Sequence, residues 1–192
     1  MSVELSSAVY VSDIATFKAE NDKDSIIEFL KQRYEERFIA PFENNSLKHG
    51  FSMMAVSCLM VESLISMQKG VNETSDMRDD ENKKIYPSKL FEEFFTNSNH
   101  LNSFTGLGYE FYKNIRCGIL HQAESTNGWR VRRDGKLVNK TDKVINATKF
   151  LKALKMELSD YLDLLNNSDF TEQIWVNLFK KIEFIIDNSI SE

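Results

Sequence analysis

Between Ser46 and Lys69 the chain places apolar side chains on nearly every side of a helix: Phe51, Met53, Met54, Ala55, Val56, Leu59, Met60, Val61, Leu64 and Ile65. A helix that is apolar all round cannot lie on a surface. It has to be the central element, with other helices packed around it. Gly70 supplies the stop, because glycine readily takes the left-handed conformation just past a helix end. The most apolar stretch, 51–65, is about 15 residues long and contains Ser52, Ser57 and Glu62, whereas a membrane span needs roughly 20. A buried core helix and no membrane are therefore expected.

The surrounding elements follow from periodicity. Ile27, Leu30, Tyr34 and Phe38 mark a helix over 24–38, which Pro41 keeps from running on. Residues 71–87 are polar and charged, the composition of an exposed loop. Short helices are predicted over 88–96 and 105–123. Trp129 to Arg132 then alternate apolar and basic, Asp134-Gly135 is a turn pair, and Lys136-Leu137-Val138 follow, which predicts a small β-hairpin over about 129–138. From Thr141 to Asn166, Val144, Ala147, Leu151, Leu154, Leu158, Tyr161 and Leu165 recur in steps of three and four, the stripe of helices packed nearly parallel or antiparallel. A last helix over 169–188 carries Ile174, Leu178, Ile182 and Ile185. The expected architecture over 1–192 is a single all-α domain, a bundle of five to six helices with one small β-hairpin insertion.

With 42% hydrophobic residues the chain can build a core, and seven glycines and two prolines argue against a turn-rich β-sandwich. Cys58 and Cys117 cannot form a disulfide framework, and the N-terminus shows no basic segment followed by an apolar run, so a reduced cytoplasmic protein is expected. The formal net charge is −5, yet Lys113, Arg116, Arg130, Arg132, Arg133, Lys136, Lys140 and Lys143 face only Glu124, Asp134 and Asp142 within 113–143. That is a local excess of +5, leaving −10 for the rest. A basic segment on an acidic body suits an anionic ligand, with nucleic-acid backbone the commonest. The plainer alternative is a solvated hairpin whose arginines pair with acidic neighbours.

Inside this segment stands Ile115-Arg116-Cys117-Gly118-Ile119-Leu120-His121-Gln122. Arg116, four residues and His121, near the end of a helix in a small all-α chain, resemble the Arg-x4–6-His motif of HEPN domains. The central apolar helix before the motif and the long helix after it resemble that superfamily too. The resemblance implies dimerisation through the motif helix. It also implies, in many members, metal-independent endoribonuclease activity in toxin or phage-defence systems, with an antitoxin or defence protein as partner. No cofactor or metal is implied. In active members the residue after the arginine is usually Asn, Asp or His, and Cys117 stands there. That favours the alternative, a non-catalytic HEPN-like module binding RNA, a nucleotide or a protein.

The residues support a chemistry of their own. In RNA cleavage by transesterification the attacking group is the RNA's 2′-hydroxyl. A histidine has an unperturbed pKa suited to moving the proton, and an arginine forks onto phosphate oxygens as charge builds. His121 and Arg116 are the candidates. They lie about 140° apart around a helix. Phe111, Ile115, Gly108, Ile119 and Tyr112 fill the arc assigned to the core. Leu120 stands on the polar arc, where a two-fold partner would cover it. Asn114 and Cys117 share the His121 stripe, and Asn114 is expected to orient the imidazole or meet phosphate. Lys113, Arg130, Arg132, Arg133 and Lys136 are the expected RNA contacts.

Plainer readings stand beside these. His121 also suits the terminal carbonyls of its helix. Glu62, inside the most apolar helix, either pairs with a cation such as Arg116 or sits exposed at a flank. Trp129 either stacks on a base or packs the hairpin onto the bundle.

Overall fold

The computed structural model describes residues 3–43, 47 and 49–190. It is an all-α helical bundle with a small β insertion, and seven helices are present among the described residues, one more than the upper expectation. The additional one is α1 (Val11–Ala19), preceded by the short antiparallel pair β1 (Glu4–Ser6) and β2 (Val9–Tyr10). Its N-cap is Tyr10 rather than a Ser, Thr, Asp or Asn, so the usual start signal is missing. Instead the Asp13 carboxylate accepts the Tyr10 N–H at 2.8 Å.

Helix α2 starts at Lys23, where Asp22 accepts the Ser25 N–H at 3.0 Å, and buries Ile26, Phe29, Leu30 and Tyr34. It widens to a π turn over Glu35–Ile39 and closes with Ala40–Glu43, two residues past Pro41. Arg33 and Arg37 both donate to the Leu5 carbonyl and tie the N-terminal strand pair to this helix.

Helix α3 (Gly50–Lys69) is the central element; its expected start at Ser46 lies outside the described residues. Met54, Cys58, Met60 and Val61 are fully buried. By length and hydropathy it is the one helix among the described residues that suffices to cross a membrane, but here it packs against the rest of the bundle. Gly70 takes φ +65°, and the Val71 N–H reaches back to the Ser66 carbonyl at 3.1 Å, closing the helix.

The 71–87 segment is mostly exposed, as expected, though it holds a 3-10 turn at Thr74–Asp76 and an Arg78–Lys84 bridge, and Met77 and Ile85 pack on the core. Helix α4 (Pro87–Asn97) opens on proline, whose missing N–H costs nothing in a first turn. Helix α5 spans 108–122: Gly108–Glu110, a π segment Phe111–Arg116, then Cys117–Gln122. Phe91 and Phe95 of α4, Phe111 of α5, Phe104 and Phe150 form an aromatic cluster with neighbouring ring centroids 5.1–6.4 Å apart.

The β insertion differs in wiring from the expected hairpin. Strands β3 (Arg130–Arg132) and β4 (Val138–Asn139) do not pair with each other. A third strand, β5 (Val144–Asn146), lies between them, parallel to β3 and antiparallel to β4. Val144, read as the first position of the helical stripe, is therefore in a strand. Asn146 caps helix α6 (Ala147–Asn167), accepting the Lys149 N–H at 3.0 Å, so the helix cannot begin earlier. The remaining stripe residues, Ala147 to Leu165, are buried. Helix α7 (Gln173–Ile190) completes the bundle, with Trp175, Leu178 and Ile182 inside.

Candidate functional site

Helix α5 is fixed at both ends. At its start, the Glu92 carboxylate accepts the Gly106 and Gly108 N–H groups, each at 2.6 Å. At its end Ala123 turns left-handed (φ +55°) and the chain folds back along the helix. This return passes so close to Gly118 that a Cβ there would stand 2.6 Å from the Glu124 carbonyl oxygen. Only glycine fits at this fifth-last helical position.

The core arc is as read from the sequence: Phe111, Ile115, Gly108 and Ile119 are buried and Tyr112 is half-buried. Asn114 departs from it. It is buried, its amide donates to Glu110 at 2.6 Å and its oxygen accepts from the Thr126 hydroxyl at 3.0 Å. Glu110 also accepts the Trp129 indole N–H at 3.2 Å. Asn114 thus pins the return loop, and within the chain it does not orient His121. The cause is the return of the chain after Ala123, which covers this side of the helix: the Thr126 N–H also donates to the Asn114 carbonyl at 2.9 Å. Trp129 is likewise 4% exposed and packs the insertion onto the bundle.

Arg116 forms a two-pronged pair with Glu62 of α3, Nε to Oε1 at 2.6 Å and Nη2 to Oε2 at 3.2 Å. Its guanidinium lies over the Tyr112 ring at 5.4 Å. Burial works against the charge, but the Glu62 hydrogen bond and negative charge outweigh it, so Arg116 is held more firmly protonated than usual. Both side chains keep 19% exposure. They open onto a polar hollow of about 420 Å³ whose wall includes Ser66, Thr74, Tyr112 and Lys181. Lys181, unsuspected from the sequence, reaches in from α7; burial pulls its pKa down.

His121 is not among the residues lining this hollow. It is exposed in the last turn of α5, and its side chain has no hydrogen bond to other described residues. A single chain therefore does not bring Arg116 and His121 together. Leu120 beside it is 38% exposed, and among the apolar residues of α3 Leu59 (44%) and Phe51 (37%) are exposed too. Cys117 is half-buried, while Cys58 is fully buried. Burial, and then the Glu62 charge, push the Cys58 thiol well above its ordinary range.

The expected RNA contacts divide. Lys113 donates to the Tyr109 hydroxyl at 3.0 Å, which raises its pKa. Arg130 donates to the Asp142 carbonyl, and Arg133 to Thr148 and the Leu47 carbonyl. Arg132 and Lys136 are exposed, and their side chains make no hydrogen bond or ion pair with other described residues. Comparison with protein-family models, curated proteins and solved structures gives no match.

Proposed function

We propose that this chain is a HEPN-like, cytoplasmic, metal-independent endoribonuclease that works as a homodimer through α5 and belongs to the toxin or phage-defence type, under an antitoxin or defence-system partner. What supports the reading is the state of the two motif side chains. Glu62 takes the Nε and one Nη of Arg116, which orients a guanidinium that opens onto the solvent-facing hollow where a phosphate oxygen can meet it. His121, exposed and unpaired among the described residues, is free to accept and return a proton.

A two-fold axis beside Leu120 would set two motif helices side by side. The roughly 140° between Arg116 and His121 in one chain is then spanned between chains. Leu120 would be covered in the same step. As the imidazole takes its proton, the RNA 2′-oxygen bonds to phosphorus and the P–O5′ bond breaks; the imidazolium returns the proton to the departing 5′-oxygen, and the guanidinium stabilises the charge growing on the phosphate.

Purified protein should cut RNA in the presence of EDTA, leaving 2′,3′-cyclic phosphate ends, and His121→Ala should lose the activity while keeping the helical circular-dichroism spectrum. Equal cutting by both proteins would remove His121 from the mechanism. The second reading, a non-catalytic binding and dimerisation module, is favoured by Cys117 and by the consumption of Asn114 in the Glu110–Thr126 network. Arg116→Ala weakening RNA binding in a protein that shows no cleavage would establish it.

A further inference from the structure

We propose that single-stranded RNA runs through the groove between the start of α3 and strand β3, with a base stacked on Phe51 and its phosphates on Arg132 and Arg133. This rests on RNA being the ligand of the reading above, and it names the form of RNA and a contact, Phe51, outside the basic residues.

Phe51 is the first aromatic residue of an apolar core helix, yet it stands 37% exposed. It borders two adjoining hollows. The larger, about 820 Å³, lies within the size range of ligand sites and is lined by Phe51, Val131, Arg132, Arg133, Asp134 and Thr148. The smaller, about 200 Å³, joins Phe51 and Arg132 to Arg130 and Glu124, and Glu124 lies three residues past His121. The track therefore leads from the end of the motif helix to the basic strand.

Three arginines line it against Asp134 and Glu124, on a chain whose net charge is −5. Arg133 is set in place: its stem lies so close to Gly50 that a Cβ there would meet its Cγ at 2.9 Å, and Thr148 and the Leu47 carbonyl take its Nε and Nη1. The other Nη has no such partner among the described residues. Arg132 is exposed. An aromatic face beside cations is how single strands are held, because every base has a π-face and the backbone follows the charge. In a duplex the faces are buried in the stack and the groove is read by shape, so Phe51 would find nothing to stack on.

The test is fluorescence anisotropy with a labelled 2′-O-methyl oligouridine, which binds but cannot be cut by its own 2′-oxygen, and with the same strand in a duplex. The single strand should bind at least about tenfold tighter than the duplex. Phe51→Ala should weaken it by roughly 5- to 100-fold and Phe51→Trp should restore it. Arg132→Ala should weaken binding and lower the salt slope by about one. Both positions are exposed enough that folding is preserved, which circular dichroism checks. Unchanged binding in Phe51→Ala, equal binding of duplex, or capture of a polyglutamate peptide in place of the oligomer overturns the proposal. Because no cleavage is needed, binding through Phe51 by a protein that never cuts RNA would sink the nuclease reading alone. Cleavage by a protein whose Phe51→Ala variant binds normally would sink this one alone.

Discussion

Replacing Glu62 with alanine strands the Arg116 guanidinium against the apolar central helix. The magnitude follows from the geometry. With contacts of 2.6 and 3.2 Å the charge centres are close, and at an effective dielectric of about 20 their attraction is about 4 kcal/mol at most. Breaking a fully buried pair from one side costs about 3–5 kcal/mol. Here both side chains keep 19% exposure and face an open hollow, so a stranded partner regains some water. The loss should be about 2–3 kcal/mol for Glu62→Ala and similar for Arg116→Ala. Removing both leaves no lone charge, so the double variant should lose about 2–3 kcal/mol rather than the additive value of about 4–6. Urea unfolding followed by far-ultraviolet circular dichroism measures all four proteins. Additivity to within about 0.5 kcal/mol would refute the pair as a coupled unit, and with it the claim that Glu62 positions Arg116.

Three further outcomes are expected. Gly118→Ala drives a methyl into the Glu124 carbonyl, so it should destabilise by about 1–3 kcal/mol and lower the thermal midpoint, whereas Gly135→Ala, with nothing near, should suffer only from its left-handed φ. Tyr161→Phe removes a buried hydroxyl that has no hydrogen-bond partner among the described residues, so urea unfolding should find it neutral or up to about 1 kcal/mol more stable. Burial pushes up the Cys58 thiol and the Tyr34 and Tyr161 phenols, from ordinary values of 9.0 and 10.0. The folded state thus holds protons that the unfolded chain releases. Stability from these groups is full below pH 9 and falls as pH rises above it, each group costing up to about 1.4 kcal/mol per pH unit. Thermal midpoints between pH 8 and 11 should fall, and a flat profile would contradict the burial.

Much of the bundle was legible because burial imposes a period. Ala147 to Leu165 recur as a packed stripe must, and Gly70 ended the central helix where its chemistry allows. What escaped detection lacked a periodic signal. α1 is short and capped through Asp13 rather than at Tyr10, and β5 inserts between two strands that sequence order alone would pair. At the candidate site, the Glu62–Arg116 partnership was open to inference because a carboxylate on an apolar helix needs a cation. Asn114 was misplaced because the chain folds back over the helix after Ala123, and that cover leaves no mark in the helix's own periodicity. Lys181 comes from a helix more than sixty residues further along the chain, and no local pattern links it to Arg116.

The central claim is that the RNA's own 2′-hydroxyl attacks and that His121 moves its proton. End-group analysis of an RNA oligomer with a mapped cut site tests it directly, using EDTA and a second oligomer carrying a single 2′-deoxy substitution at that site. The account predicts a 2′,3′-cyclic phosphate on the first oligomer, no cut at the substituted nucleotide on the second, and neither product from His121→Ala. A cut that survives the deoxy substitution, a His121→Ala protein that cuts like its parent, or RNA left intact by the unaltered protein would contradict it.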